Sequence, residues 1–113
     1  MTQDSKDITE IDGKLVVKLA GDVDLEHCVD VRALLLDAVA RGKDLLVDLS
    51  EVTYLDSSGI ASLIETLQAA GRNGTAFKLF SASPQIWRVL ELARLDKVFT
   101  ILPDLDAAMA NEA

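Results

Sequence analysis

The chain has 113 residues, half of them hydrophobic and few aromatic, with 11 basic against 19 acidic side chains and a formal charge of −8. That length predicts one domain with an aliphatic core large enough to fold without staples. The acidic balance excludes a nucleic-acid binder, which needs clustered Lys and Arg to neutralise phosphates, and an anionic membrane surface. It points instead to a basic protein partner.

A single cysteine, Cys28, excludes an internal disulfide, and with its neighbour His27 it does not make up a metal site. No apolar run reaches the length of a membrane span, and no charged-then-apolar leader opens the chain. The expectation is a soluble, cytoplasmic protein.

Residues 1–7 are polar and expected to fray. Ile8 to Glu10, the Asp12-Gly13 pair and then residues 15–20 read as two strands around a hairpin turn. Gly21 is expected to stop the second strand, leaving Asp22, Val23 and Asp24 as a connection. From residue 25 to 41 the period turns helical, with Val31, Leu34, Leu35, Ala38 and Val39 on one side. Asp24 is the expected N-cap of this helix and Gly42 its stop.

Leu45, Leu46, Val47 and Leu49 form a near-continuous apolar run over residues 44–49, suited to a strand buried on both faces. Residues 50–55 then read as an approach to Asp56-Ser57-Ser58-Gly59, three N-cap residue types followed by a glycine. Ile60, Leu63, Ile64 and Leu67 give the stripe of a second helix over about 58–70, stopped by Gly71 and Gly74. Residues 76–81 read as another strand. Ser83-Pro84 opens a third helix with Ile86, Val89, Leu90 and Ala93 inward. Trp87 falls off that stripe and reads either as a partner contact, as exposed aromatics often are, or as a core flank against a neighbouring helix. A last strand over 98–102 and a terminal helix capped by Asp104 complete the chain.

The order ββαβαβαβα predicts an α/β fold: a small mixed, mainly parallel sheet with right-handed crossovers and about four helices. One antiparallel hairpin strand sits near its start.

Enzyme readings find little support. A Ser-His-Asp arrangement would need His27, the one histidine, to reach Ser57 or Ser58, and no Gly-x-Ser-x-Gly elbow is present. Glycine-rich phosphate loops are absent. Asp22, Asp24, Asp48 and Asp56 are positioned to cluster at strand ends around Mg²⁺, but no lysine or threonine completes a receiver-like site. No catalytic residue, metal or cofactor is expected. What stands out is a buried strand feeding two serine hydroxyls to a helix N-terminus, where amides point outward and the dipole is positive. Taken alone, that arrangement is a helix cap.

Its surroundings add to it. Residues 48–64, Asp-Leu-Ser-Glu-Val-Thr-Tyr-Leu-Asp-Ser-Ser-Gly-Ile-Ala-Ser-Leu-Ile, resemble the signature of the STAS domain family (sulfate transporters and anti-sigma factor antagonists). Residues 19–24, Leu-Ala-Gly-Asp-Val-Asp, are similar to the family's motif after its second strand. Residues 83–99, opening Ser-Pro-Gln-Ile-Trp, match its third-helix segment, with Ala93-Arg94 where many members carry Thr/Ser-Gly. The resemblance covers nearly the whole chain and implies a single STAS domain. Its free-standing Asp-Ser-Ser-Gly form looks most like a bacterial anti-sigma factor antagonist.

The resemblance further implies a phosphorylation site at Ser57, with Asp22, Asp24, Asp56, Ser57, Ser58 and Gly59 at the partner face. In such proteins the unmodified form binds a serine-kinase anti-sigma factor. The kinase transfers phosphate from ATP and lets go, and a PPM-type metal-dependent phosphatase resets the serine. Residue chemistry alone leaves Ser57 and Ser58 both open. The alternative branch is an STAS accessory subunit of a lipid-transporting ABC complex, which more often carries threonine at the serine position.

Overall fold

The computed structural model describes residues 8–110, so the expected fraying of residues 1–7 lies outside the described part. Five strands form one sheet in the order β1-β2-β3-β4-β5. They are β1 (Ile8–Ile11), β2 (Lys14–Val23), β3 (Leu45–Leu55), β4 (Phe77–Phe80) and β5 (Thr100–Leu102). β1 pairs antiparallel with β2 through the Asp12-Gly13 turn, and every other pairing is parallel. Helices α1 (Cys28–Ala40), α2 (Ser57–Asn73), α3 (Pro84–Leu92) and α4 (Leu105–Met109) connect or follow the strands, with a short 3₁₀ turn at Leu95–Lys97. This is the α/β architecture read from the element order.

Side-chain alternation divides the sheet into two faces. Leu15, Val17 and Leu19 of β2, Val47 and Leu49 of β3, and Phe77 and Leu79 of β4 join the main core beneath the first three helices. Val31, Leu34, Leu35, Ala38 and Val39 of α1, the stripe expected from spacing, close that core together with Leu63, Ile86 and Leu90. The opposite face carries Leu46 and Phe80, covered by Ala108 of α4. Lys78 shares that face, its Nζ donating to the Ala108 and Ala110 carbonyls at 3.4 Å each.

Several boundaries differ from expectation, each for a local reason. Gly21 does not end β2. It adopts φ +76°, a backbone open to glycine, and the strand continues through a register irregularity to Val23. Residues 50–55 are accordingly strand and not loop, because Glu51, Val52, Tyr54 and Leu55 find partners on the continued β2. Helix α1 starts three residues later than Asp24 would make it; His27 holds the N-cap position without a side-chain bond. Gly71 lies inside α2, and the stop falls at Gly74, whose φ of 73° makes the left-handed cap. β5 begins at Thr100, since Val98 is exposed after the 3₁₀ turn. Ala93 is exposed too: α3 ends there, and Arg94 takes the left-handed φ of 62° where relatives of the motif place glycine.

Candidate functional site

β3 brings the chain to Asp56 in extended backbone, and α2 starts at the next residue. The Asp56 carboxylate binds in two directions. Its Oδ1 accepts from the amides of Ser58 (2.9 Å) and Gly59 (3.1 Å), while Oδ2 accepts from the Leu25 amide at 3.3 Å. Two of the orphan donors of the first helical turn are thereby satisfied. The Asp56 amide in turn donates to the Val23 carbonyl at 3.3 Å, so the end of β2, the loop after it and the start of α2 are bonded together.

Gly59 makes this contact sterically possible. It is buried, and a Cβ there would collide with the Val23 carbonyl oxygen and lie 2.8 Å from Val23 Cγ1 and 2.9 Å from Leu55 Cδ1. No side chain fits between the helix and the strand end at this residue.

Ser57 is the first residue of α2 and is exposed; among the described residues no group bonds its hydroxyl. Ser58 is half-buried, with its amide on Asp56 and its carbonyl accepting from the Ser62 hydroxyl at 3.3 Å. The same Ser62 hydroxyl also lies 3.3 Å from the Cys28 carbonyl, and Thr66 donates to the Ser62 carbonyl at 2.8 Å. Of these, the bond to the Cys28 carbonyl joins α2 to α1, and the other two lie within α2. Of the stripe expected from apolar spacing in α2, Leu63 is buried and Ile60, Ile64 and Leu67 are partly buried against the main core; what spacing missed is that Gly59, Ser62, Thr66 and Ala70 complete the buried face. The signal was the small size of the residues recurring every three or four positions, not their hydrophobicity.

The other expected partner-face residues lie on the continued β2 and the loop after it. Asp22 is exposed and accepts from the Thr53 hydroxyl at 3.1 Å. Asp24 faces the His27 ring, with Oδ1 2.7 Å from Nδ1, and also accepts the His27 amide at 3.1 Å. The Asp24 hydrogen bond, reinforced by the charges of Asp24, Glu26 and Asp22, raises the His27 pKa against a smaller opposing effect of desolvation. For Asp24, desolvation favours the neutral acid, but the bonds and charge of His27 prevail and hold its carboxyl below the usual range. Among the described residues, the one group of three potential metal ligands is Asp24, Glu26 and His27, with ligand atoms within 4.8 Å of one another. The sequence had placed the acidic grouping at Asp22, Asp24, Asp48 and Asp56. Asp48 instead accepts the Ser50 amide of its own strand at 2.8 Å, and Asp56 is committed to capping.

Leu25 in the loop after β2 and Val29 in the first turn of α1, 73% and 71% exposed, and half-exposed Tyr54 of β3 add apolar surface that the sequence reading did not single out. Leu25 carries the amide held by Asp56. No helix among the described residues is long and apolar enough to cross a membrane.

A family model described as Mlab, STAS domain, matches residues 8–103. An anti-sigma-B factor antagonist of Bacillus subtilis (strain 168) is 25% identical over 95 residues, 84% of this chain and 87% of its own length. The crystal structure of an anti-sigma factor antagonist from Mycobacterium paratuberculosis superposes with a TM-score of 0.81 at 31% identity, covering 90% of this chain and 87% of the other. SpoIIAA shares the fold at lower identity, in its unphosphorylated form (TM-score 0.74, 16% identical, covering 90% of each chain) and in its phosphorylated form (0.67, 17%, 90% of this chain and 94% of the other).

Proposed function

The chain belongs to the STAS domain family, and we propose that within it the protein is an anti-sigma factor antagonist whose hold on its partner is set by phosphorylation of Ser57. The observation that carries this reading is the contrast between the two serines. Among the described residues neither hydroxyl has a hydrogen-bond partner, but Ser57 is exposed whereas Ser58 is half-buried with its amide held by Asp56. A kinase needs a free hydroxyl on an accessible backbone, and Ser57 offers one.

Local electrostatics favour release over unfolding. A phosphate on Ser57 adds about −1.5 to −2 charge at neutral pH. A helix N-terminus would ordinarily stabilise such an anion by about 0.3–1 kcal/mol. Here the Asp56 carboxylate already occupies the amides of Ser58 and Gly59, so less of that gain is available. The fold holds, because Asp56 keeps its bonds while the phosphate projects outward. At the partner face, the new charge joins Asp22, Asp24 and Asp56 against a surface shaped to a hydroxyl. Misplaced charge in such a contact costs several kcal/mol, on the order of a thousandfold in affinity.

In this reading the unmodified protein binds a serine-kinase anti-sigma factor and frees a sigma factor. Phosphorylation by that kinase, from its own bound ATP, releases the protein, and a PPM-type phosphatase restores it. All of this takes place in the cytoplasm, where the kinase finds ATP. The protein is a binding switch in this cycle and contributes no catalytic group. The alternative role, as accessory subunit of a lipid-transporting ABC complex, is disfavoured by the serine at residue 57. Incubation with the cognate kinase and ATP followed by intact-mass analysis tests the assignment. One phosphoryl group should appear on the native chain and none on Ser57→Ala; phosphorylation persisting in the variant would move the site.

A further inference from the structure

The chain leaves the carboxyl ends of β4 and β5 toward opposite sides of the sheet. After β4 it enters α3, whose Ile86 and Leu90 pack into the main core. After β5 it enters α4, whose Ala108 packs on Leu46 and Phe80 across the sheet. Diverging connections of this kind open a crevice at the strand ends, the place where α/β sheets hold their ligands.

This crevice exists in the molecule. A cleft of about 260 Å³, open to solvent on one side, lies between Ala82, Trp87, Ile101, Leu102 and Pro103. Its walls come from both sides of the sheet: Ala82 and Ile101 pack on the main core, and Leu102 packs on the α4 cluster. Ser81, at the exit of β4, adopts φ +60°, a left-handed backbone that costs a non-glycine residue about 1–2 kcal/mol. Its amide donates to the Leu102 carbonyl at 3.1 Å and its hydroxyl to the Pro103 carbonyl at 3.4 Å, so the strained residue fixes the cavity's rim. Strained backbone of this sort accumulates at binding sites.

The lining contains no titratable side chain, and its largest side chain is Trp87, which is 37% exposed. A charged ligand would lose hydration there without a counter-charge. An apolar, partly open cleft of this size accommodates a single aromatic ring against the Trp87 side chain. We propose that the cleft between α3 and the end of β5 is a binding site for a small, uncharged aromatic molecule.

Trp87 is the one tryptophan in the chain and reports on the site directly. The full chain, labelled with ¹⁵N, is titrated with toluene and separately with benzoate, which keeps the ring but adds a charge. Toluene should shift the Trp87 indole N–H and the amides of Ala82, Ile101 and Leu102 along saturable curves, with benzoate about tenfold weaker or worse. Two variants control for the fold, each accepted only if its remaining spectrum overlays the native one. Ala82→Leu, which fills the cavity, and Trp87→Ala, which removes a wall, should each abolish saturation at Ile101. Non-saturating shifts, shifts scattered over the chain, equal binding of benzoate, or saturation persisting in Ala82→Leu would each overturn the proposal.

Discussion

The two ends of α2 are built under opposite constraints. At its start the backbone is held from several sides: Asp56 caps Ser58 and Gly59, bonds the Leu25 amide, and donates its own amide to the Val23 carbonyl. At its far end Gly71 is exposed with nothing within 4 Å of a would-be Cβ, and the helix runs on to Gly74. The same helix thus holds one glycine that nothing can replace and one that almost anything can. The tight end is the one that presents Ser57, so the closest packing of this helix lies beside the serine proposed for phosphorylation.

The largest effect expected from breaking this contrast is at Gly59. Gly59→Ala forces a methyl against the Val23 carbonyl and should destabilise the protein by about 2–3 kcal/mol, as overpacking of a close contact does. Urea unfolding measures it. A cost under about 0.5 kcal/mol, the range of ordinary surface changes, would mean that the helix start slides freely on β2.

Removing the cap comes next. Asp56→Ala leaves the Ser58 and Gly59 amides and the Leu25 amide without their acceptor and should cost about 1–2 kcal/mol. Hydrogen exchange in the variant should quicken first at Leu25, Ser58 and Gly59. Uniform quickening across the chain would contradict a local bridge.

The smallest effect has the opposite sign. Gly71→Ala adds a helix-favouring residue in open space and should stabilise by about 0.5–1 kcal/mol, visible as a small rise in the urea midpoint. A loss of stability there would show that the two ends are alike after all.

Much of this was legible in the sequence. Element order and the α1 stripe of Val31, Leu34, Leu35, Ala38 and Val39 follow from apolar spacing, and the structure has them. The helix beginning at Asp56-Ser57 follows from cap chemistry. What spacing did not reveal depends on contacts between distant segments. Residues 50–55 became strand because the Gly21 irregularity let β2 continue alongside them, which no local pattern in 50–55 encodes. Ser62 and Thr66 are buried where α2 packs with α1, and the Ser62 hydroxyl reaches the Cys28 carbonyl, 34 residues away. At the site, the capping role of Asp56 was visible from its type and place, but its second bond, to Leu25, joins residues 31 apart. Arg94 in a left-handed backbone is the reverse case: the departure from Thr/Ser-Gly was visible, and the structure shows that the turn is kept despite it.

The most direct measurement is the dissociation constant of the cognate kinase-type partner for the protein with Ser57 bare and with Ser57 phosphorylated, taken side by side at one salt concentration. A fall in affinity of about a thousandfold on phosphorylation, with the modified protein still folded, is the expected result. Equal affinities for the two forms would contradict the switch and leave the Asp56–Gly59 turn as a structural joint between β2 and α2.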